Sequence, residues 1–241
     1  MSLTSAQRTP PVVSFGQQLK LIVTQGVRAE LADRERLLSP LLFAATIMIL
    51  FAFTLGDVDP SFRVKVFLAQ TFLTLFLALQ ISFARIFEPD TQDRVFDLMR
   101  TCPLHSEAWY LGKFILVLIT GTLILLPTFL LGGLLHSQDA SPLLTWQMTL
   151  TLFLTLFGLA SLGVLLSAMT MRALARQIIF PLLYFPLTTP VLLAAVQASE
   201  IALVGNSGDE TFNAWLTLLA GFDVIYFTLG ILLFGSLVEP S

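Results

Sequence analysis

Residues able to do chemistry gather in one stretch of this chain, residues 88–113, although the sequence is 56% hydrophobic and only 12% charged. The stretch carries both signs of charge: Glu88, Asp90, Asp93, Arg94, Asp97, Arg100, Glu107 and Lys113. Acids and bases mixed in this way suit recognition of a protein surface, where charge sets partner choice and register. They equally suit a cap over the end of a helical bundle, and the pattern alone does not separate the two interpretations.

The sequence does not contain a nucleotide site of the phosphate-loop type. Its Gly-Lys pair, Gly112-Lys113, is followed by Phe114 and has no glycine at the upstream position that such a loop requires. Cys102 is the one cysteine, so neither an internal disulfide nor a cysteine-based metal cluster can form. We therefore predict a non-enzymatic chain with no catalytic residue, no metal site and no directly bound cofactor.

One acid, Asp223, interrupts an apolar stretch that runs from about Phe212 to Leu237. Ionisable side chains inside a membrane span are costly and often functional. No other buried acid or base is visible in the apolar runs as a partner for proton coupling. Asp223 is thus a candidate intramembrane functional acid; the alternatives are a hydrogen-bonded structural contact and a position nearer the membrane surface.

Long stretches of sequence without charge separate these residues and must position them. The mean hydropathy of +0.84 is far above that of a soluble domain. Each run supplies roughly 20 apolar residues, enough to cross a bilayer as a helix. The runs lack the alternation of barrel strands, which favours helices. The sequence predicts an all-α integral membrane protein with six spans, at about 38–56, 65–84, 112–135, 143–168, 178–197 and 213–237.

Three segments follow from these spans: a cytoplasmic segment 1–37, a six-helix domain 38–237 with a loop at 85–113, and a tail 238–241. The first segment carries an amphipathic stripe of Phe15, Leu19, Ile22, Val23, Val27 and Leu31. This stripe predicts a helix that either lies in the membrane surface or packs on the other helices. Three tryptophans, Trp109, Trp146 and Trp215, fall near span ends, as interfacial anchors do.

The basic residues predict the orientation. Of 13 lysines and arginines, all but Arg63 and Lys65 fall on one side of a six-span chain. The positive-inside rule places that side, and both termini, in the cytoplasm. We expect a multi-pass membrane protein whose loop 85–113 is the largest on the cytoplasmic face.

Two further motifs concern shape. Pro89 and Asp90 can start a short helix over about 91–101 that Pro103 stops, with apolar Val95, Phe96 and Met99 beside its charges. The fifth span reads FPLLYFPLTTPVLL, and its Pro181, Pro186 and Pro190 predict a broken or sharply bent helix. Such a bend either moves during function or fills a packing gap.

The stretch RIFEPDTQDRVFDLMRTCPLHSEAWYLGK resembles the loop after the second helix of ABC-2-type permeases, with its acidic start, short helix and closing lysine. Together with FPLTTPVLL it resembles the CcmB family, from about residue 15 to the end. The family often has glycine where this chain has Arg94. The resemblance implies a short cytoplasmic coupling helix that docks on an ATPase through Asp93, Arg94, Val95, Phe96, Asp97, Met99 and Arg100.

The resemblance also implies a role and partners. The chain would be the permease subunit of an ABC complex for cytochrome c maturation, transmitting ATP hydrolysis to haem delivery or to release of a haem-loaded periplasmic chaperone. ATP would sit on a CcmA-like cytoplasmic subunit and haem on other proteins. The partners would be a CcmC-like haem-handling membrane protein, a small CcmD-like subunit, a second copy of the chain and the lipid bilayer, with no nucleic acid.

Two other functions remain open at this stage. An ABC-2 permease that exports a lipid, glycan or drug-like molecule would use the same docking helix. A membrane scaffold outside the ABC class would carry the loop only as a cap.

Overall fold

The computed structural model describes residues 14–55, 59–88, 90, 105–135, 145–171, 173, 175–204 and 210–238. Within these ranges the chain forms long helices and no strand. In chain order they are α1 (Phe15–Ala32), α2 (Arg34–Leu55), α3 (Pro60–Arg85), α4 (Ser106–Leu135), α5 (Trp146–Thr170), α6 (Arg176–Val204) and α7 (Glu210–Val238).

Helices α2 to α7 are each long and apolar enough to cross a membrane, which confirms the predicted all-α membrane fold with six candidate spans. Two ends differ most from the sequence prediction. Helix α4 begins at Ser106 and not near residue 112, and α6 continues to Val204, beyond residue 197. Hydropathy detects only the part of a helix that matches the hydrocarbon, whereas its backbone hydrogen bonds continue into the polar interface.

Helix α5 is the most buried span and packs against α3, α4, α6 and α7. Small residues allow the close contacts. The ring of Phe83 occupies the space where Gly163 has no side chain, and Tyr110 does the same at Gly230. This is the role predicted for small residues in membrane helices, where close backbone approach replaces the hydrophobic driving force.

Helix α6 runs continuously through Pro181, Pro186 and Pro190, so of the two predicted forms the broken helix is wrong and the sharp bend stays a prediction. Proline removes one backbone donor, but nearby hydroxyl groups can compensate within a membrane helix. Here Thr188 donates to Tyr184 O at 2.7 Å, and Thr189 donates to Phe185 O at 2.9 Å. These side-chain bonds lie between the second and third prolines, but their acceptors are not the carbonyls four residues before each proline, which lose their backbone donor.

Helix α1 packs against α4, which decides between the two interpretations of its apolar stripe. Ile22 lies against Gly112, and Leu116 lies against Gly26, so each helix offers a glycine to an aliphatic side chain of the other. Phe15 and Leu31, at the two ends of the stripe, remain exposed. The middle of the stripe therefore packs against α4, and its ends are exposed at the surface of the bundle.

Candidate coupling site

The candidate site lies at one end of the bundle, which we call the loop end: the last turn of α3, the first turns of α4 and α6, and the last turns of α7. Segment 91–104 leaves from and returns to this end. Lys113, eight residues into α4, reaches back to the departing chain, and its Nζ lies 2.6 Å from Oδ2 of Asp90. The same Nζ donates a hydrogen bond to Ile86 O at 2.9 Å. One ammonium group thus ties α4 to the chain that follows α3.

The surroundings of Lys113 explain why a charge is tolerated there. Its side chain is 8% exposed and that of Asp90 is 14% exposed, so water screens their attraction little. The Lys113 ammonium also lies 5.4 Å from the centre of the Phe87 ring. Carboxylate, carbonyl and ring face together replace much of the hydration that the cation loses.

A cluster of aromatic rings supports this pair from within the bundle. Phe87 meets Trp109 edge-on at 6.1 Å, and both rings contact Phe234 of α7. Trp109 is only 2% exposed, so its predicted role as a membrane-surface anchor is wrong. Because edge-to-face rings have a preferred geometry, a displacement of Phe87 would disturb its ring contacts with both α4 and α7.

The returning end of the segment is held by α1. The backbone N–H of His105 donates to Gln18 Oε1 at 3.1 Å, and the rings of Phe15 and His105 are 6.0 Å apart. Burial raises the pKa of Glu30, an effect opposed by the positive charges of Arg36 and, more weakly, of Lys113. Helix α1 therefore lies alongside the loop end over most of its length.

The start of α6 is fixed to the end of α3 at the same place. Arg176 donates from Nη2 to Phe83 O at 3.1 Å, and Ser167 of α5 donates to the same carbonyl at 3.4 Å. The ring of Phe83 also packs against Phe180, in a tilted arrangement, and against Tyr184 of α6, edge-on. The helix with three prolines is therefore joined directly to the helix that leads into the loop.

The predicted docking residues Asp93, Arg94, Val95, Phe96, Asp97, Met99 and Arg100 lie outside the described residues, so their role stays a prediction. Pro181, Pro186 and Pro190 lie along α6, and the first is near the loop end. Asp223 is elsewhere: it is eleven residues before Phe234 on α7, which is ~16 Å along a helix.

Sequence reasoning did not identify Gln18, Phe87 or Gly112 as parts of this site. The acidic start and closing lysine of the loop motif signalled Asp90 and Lys113, but not their contact. In the part of the chain that the structure describes, no three His, Cys, Asp or Glu side chains are grouped so as to hold a metal ion.

The six candidate spans define an α-helical, multi-pass membrane protein. Buried contacts at the loop end attach both ends of one loop, segment 91–104, to these helices. The family model described as CcmB protein matches residues 17–239, and the chain belongs to that family. CcmB proteins are membrane permease subunits of the ABC system for cytochrome c maturation and haem export, and this chain shares that class. No curated protein matches the chain.

Proposed function

We propose that the chain converts ATP hydrolysis by a separate subunit into movement of its membrane helices, which drives haem delivery or the release of a haem-loaded periplasmic chaperone. Segment 91–104 is the proposed docking element. Its helix would place Val95, Phe96 and Met99 in a groove of the ATP-binding subunit, with Asp93, Arg94, Asp97 and Arg100 at the rim. Buried apolar anchors would carry the binding energy, and the rim charges would set the register.

The observation that carries this proposal is the attachment of both ends of the segment. Its departing end is held to α4 by the contact of Lys113 with Asp90, and its returning end is held to α1 by Gln18. A surface cap needs no buried ion pair at its base, since desolvating two charges is expensive. A segment that transmits force does need fixed ends, because slack at either end would absorb the movement.

Further contacts extend from the loop end into the bundle. The Phe87 ring touches α4 and α7, and the Phe83 carbonyl accepts hydrogen bonds from α5 and α6. A shift at residues 86–90 would thus reach four membrane helices within one or two contacts. This supports a mechanical subunit whose response spreads over the bundle.

We also propose an orientation and a set of partners for the chain. The positive-inside rule favours a cytoplasmic loop end. In a bacterial inner membrane, a CcmA-like subunit on that side would bind ATP. Two copies of the chain would present two loops to two such subunits. A CcmC-like haem-handling protein and a small CcmD-like subunit would complete the complex.

Deletion of the gene tests the function as a whole. We expect loss of c-type cytochromes, with lipid and glycan export unchanged, and restoration by the wild-type chain. Loss of lipid, glycan or drug export with normal cytochromes would instead establish an ABC-2 exporter. Wild-type assembly and activity in the absence of any co-purifying ATP-binding subunit would indicate a scaffold.

A further inference from the structure

Asp223 is buried at the middle of α7, in the part of the chain farthest from both membrane surfaces. The residue is 3% exposed, and neither carboxyl oxygen has a hydrogen-bond partner among the residues that the structure describes. It lies near the midpoint of the Glu210–Leu237 span. This contradicts the alternative of a hydrogen-bonded structural contact within the described residues, and the central place in the span disfavours a position at the membrane surface.

The carboxyl group sits where three helices meet. A side chain added at Gly158 of α5 would collide with Asp223 Oδ1 and would come within 3.3 Å of Val191 Cγ1 on α6. Glycine at 158 is therefore what makes room for the acid. The position is one turn from Tyr226, whose hydroxyl donates to Leu187 O at 2.7 Å.

Other polar groups at this junction are already engaged. Tyr184 of α6 donates to Leu159 O at 3.2 Å, next to Gly158, and Ser161 donates to Gly158 O at 3.0 Å. These hydroxyl protons point to backbone carbonyls and leave the carboxyl group without a donor. The titratable side chains nearest to the acid on α6 and α7 are the phenols of Tyr184 and Tyr226. The phenol of Tyr110 on α4 lies against Gly230, farther along α7, and donates to Ser161 O at 3.2 Å.

Charged groups on the helices around Asp223 are distant. Helix α5 has none. At about 1.5 Å per residue, Glu210 of α7 is ~20 Å along its helix from Asp223, and Glu200 and Arg176 of α6 are ~14 Å and ~22 Å from Val191. Glu107 and Lys113 of α4 are in the first turns of that helix, at the loop end. An ionised carboxylate with neither donor nor cation is strongly disfavoured in hydrocarbon, whereas the neutral acid is tolerated.

We propose that Asp223 is a proton-binding site at the α5–α6–α7 junction, loaded while these helices pack as they do here. When α6 and α7 separate from Gly158, water enters and the proton passes to it, leaving a carboxylate. When the helices close again, the carboxylate takes a proton from water. Pro190 and Val191 are adjacent in α6, so a change in the shape of the proline-containing helix acts directly on the junction.

Labelling with dicyclohexylcarbodiimide tests the loaded state. This apolar reagent reacts with protonated carboxyl groups within membranes and leaves a stable acylurea that mass spectrometry locates. In membranes containing the full chain, we expect Asp223 to label roughly tenfold more than the exposed Glu210, because desolvation favours the acid form. The Asp223→Asn chain is the blank. This readout does not depend on the proposed function, and absence of label on Asp223 overturns the proposal.

The pH profile of ATPase activity in the purified complex tests the release step. Asp223→Asn keeps the shape of the side chain but cannot ionise, so we expect a profile with one ionisation fewer than that of the wild type. Tyr226→Phe removes a polar atom from the same junction and should keep the wild-type profile. An unchanged profile for Asp223→Asn contradicts the proposal. If that variant does not accumulate in the membrane, labelling of the wild-type chain decides alone.

Discussion

Lys113 and Asp90 form a buried ion pair across segment 91–104, with Nζ and Oδ2 2.6 Å apart. The pair joins the start of α4 to the chain leaving α3, and it is less exposed than the salt bridges Arg36–Asp33 and Lys65–Glu200. Removing one partner would leave the other buried and uncompensated.

Breaking this pair should destabilise the chain. We expect Asp90→Asn and Lys113→Met each to lower the free energy of unfolding by about 3 kcal/mol, with the double variant less affected than the sum. Denaturation in detergent measures this. Arg36→Met is the matched control, because its partner Asp33 is 51% exposed and the loss should stay below about 1 kcal/mol. Equal losses at both pairs would show that burial of the Lys113 pair contributes nothing.

Enlarging Gly112 should displace α1. A Cβ at this position would lie 2.5 Å from Ile22 Cγ2, so we expect Gly112→Ala to cost about 1–3 kcal/mol and to speed amide hydrogen exchange in α1. Ile22→Ala in the same chain should restore slow exchange. Gly221→Ala is the control, since nothing lies near its added carbon. Unchanged exchange in the Gly112→Ala chain would mean that α1 is held elsewhere.

Replacing two prolines should separate assembly from activity. Pro186→Ala with Pro190→Ala restores two backbone donors and stiffens α6. We expect normal insertion and complex assembly but ATPase activity that is several-fold less coupled to cytochrome maturation. Pro127→Ala in α4 is the control, because that helix also contains a proline. A fully active double variant would make these prolines packing devices only.

Docking of the ATPase should depend more on Phe96 than on Arg100. An apolar anchor in a groove carries more binding energy than a charge at the rim, so Phe96→Ala should lose more bound ATPase subunit than Arg100→Ala. The reversal Asp97→Arg should uncouple the ATPase without unfolding the bundle. Both are measured on complexes purified from each variant. Wild-type binding and coupling in Phe96→Ala and Asp97→Arg would leave the loop as a cap.

Topology can be checked with an impermeant thiol reagent on intact cells. A cysteine at Ser207 should react from outside, and the native Cys102 should not, because the positive-inside rule places the loop in the cytoplasm. Permeabilised cells provide the control for reactivity of Cys102. Labelling of Cys102 in intact cells would reverse the orientation.

The spans could be predicted because bilayer thickness limits how short an apolar helix can be. Their partners could not, since composition does not state which faces meet. Trp109 illustrates this: its place near a span end suggested a surface anchor, but contacts with Phe87 and Phe234 bury it. The continuity of α6 could not be predicted either, because proline usually breaks or kinks a helix, and whether its neighbours restore the helical turn is set by local geometry. Asp223 was visible as a lone acid, but its lack of a donor emerged only from the packing around Gly158.

The ion pair between Asp90 and Lys113 also bears on how the chain enters the membrane during synthesis. Asp90 leaves the ribosome before Lys113 and is at the bilayer surface when α4 emerges. A lysine in an inserting helix carries a free-energy penalty that is largest at the helix centre and smaller near the ends, and a carboxylate already at the surface would reduce the penalty for Lys113. We therefore expect α3 and α4 to insert together as one hairpin. A chain stopped before Lys113 would contain α3 but would lack the contact between Lys113 and Asp90 that secures it.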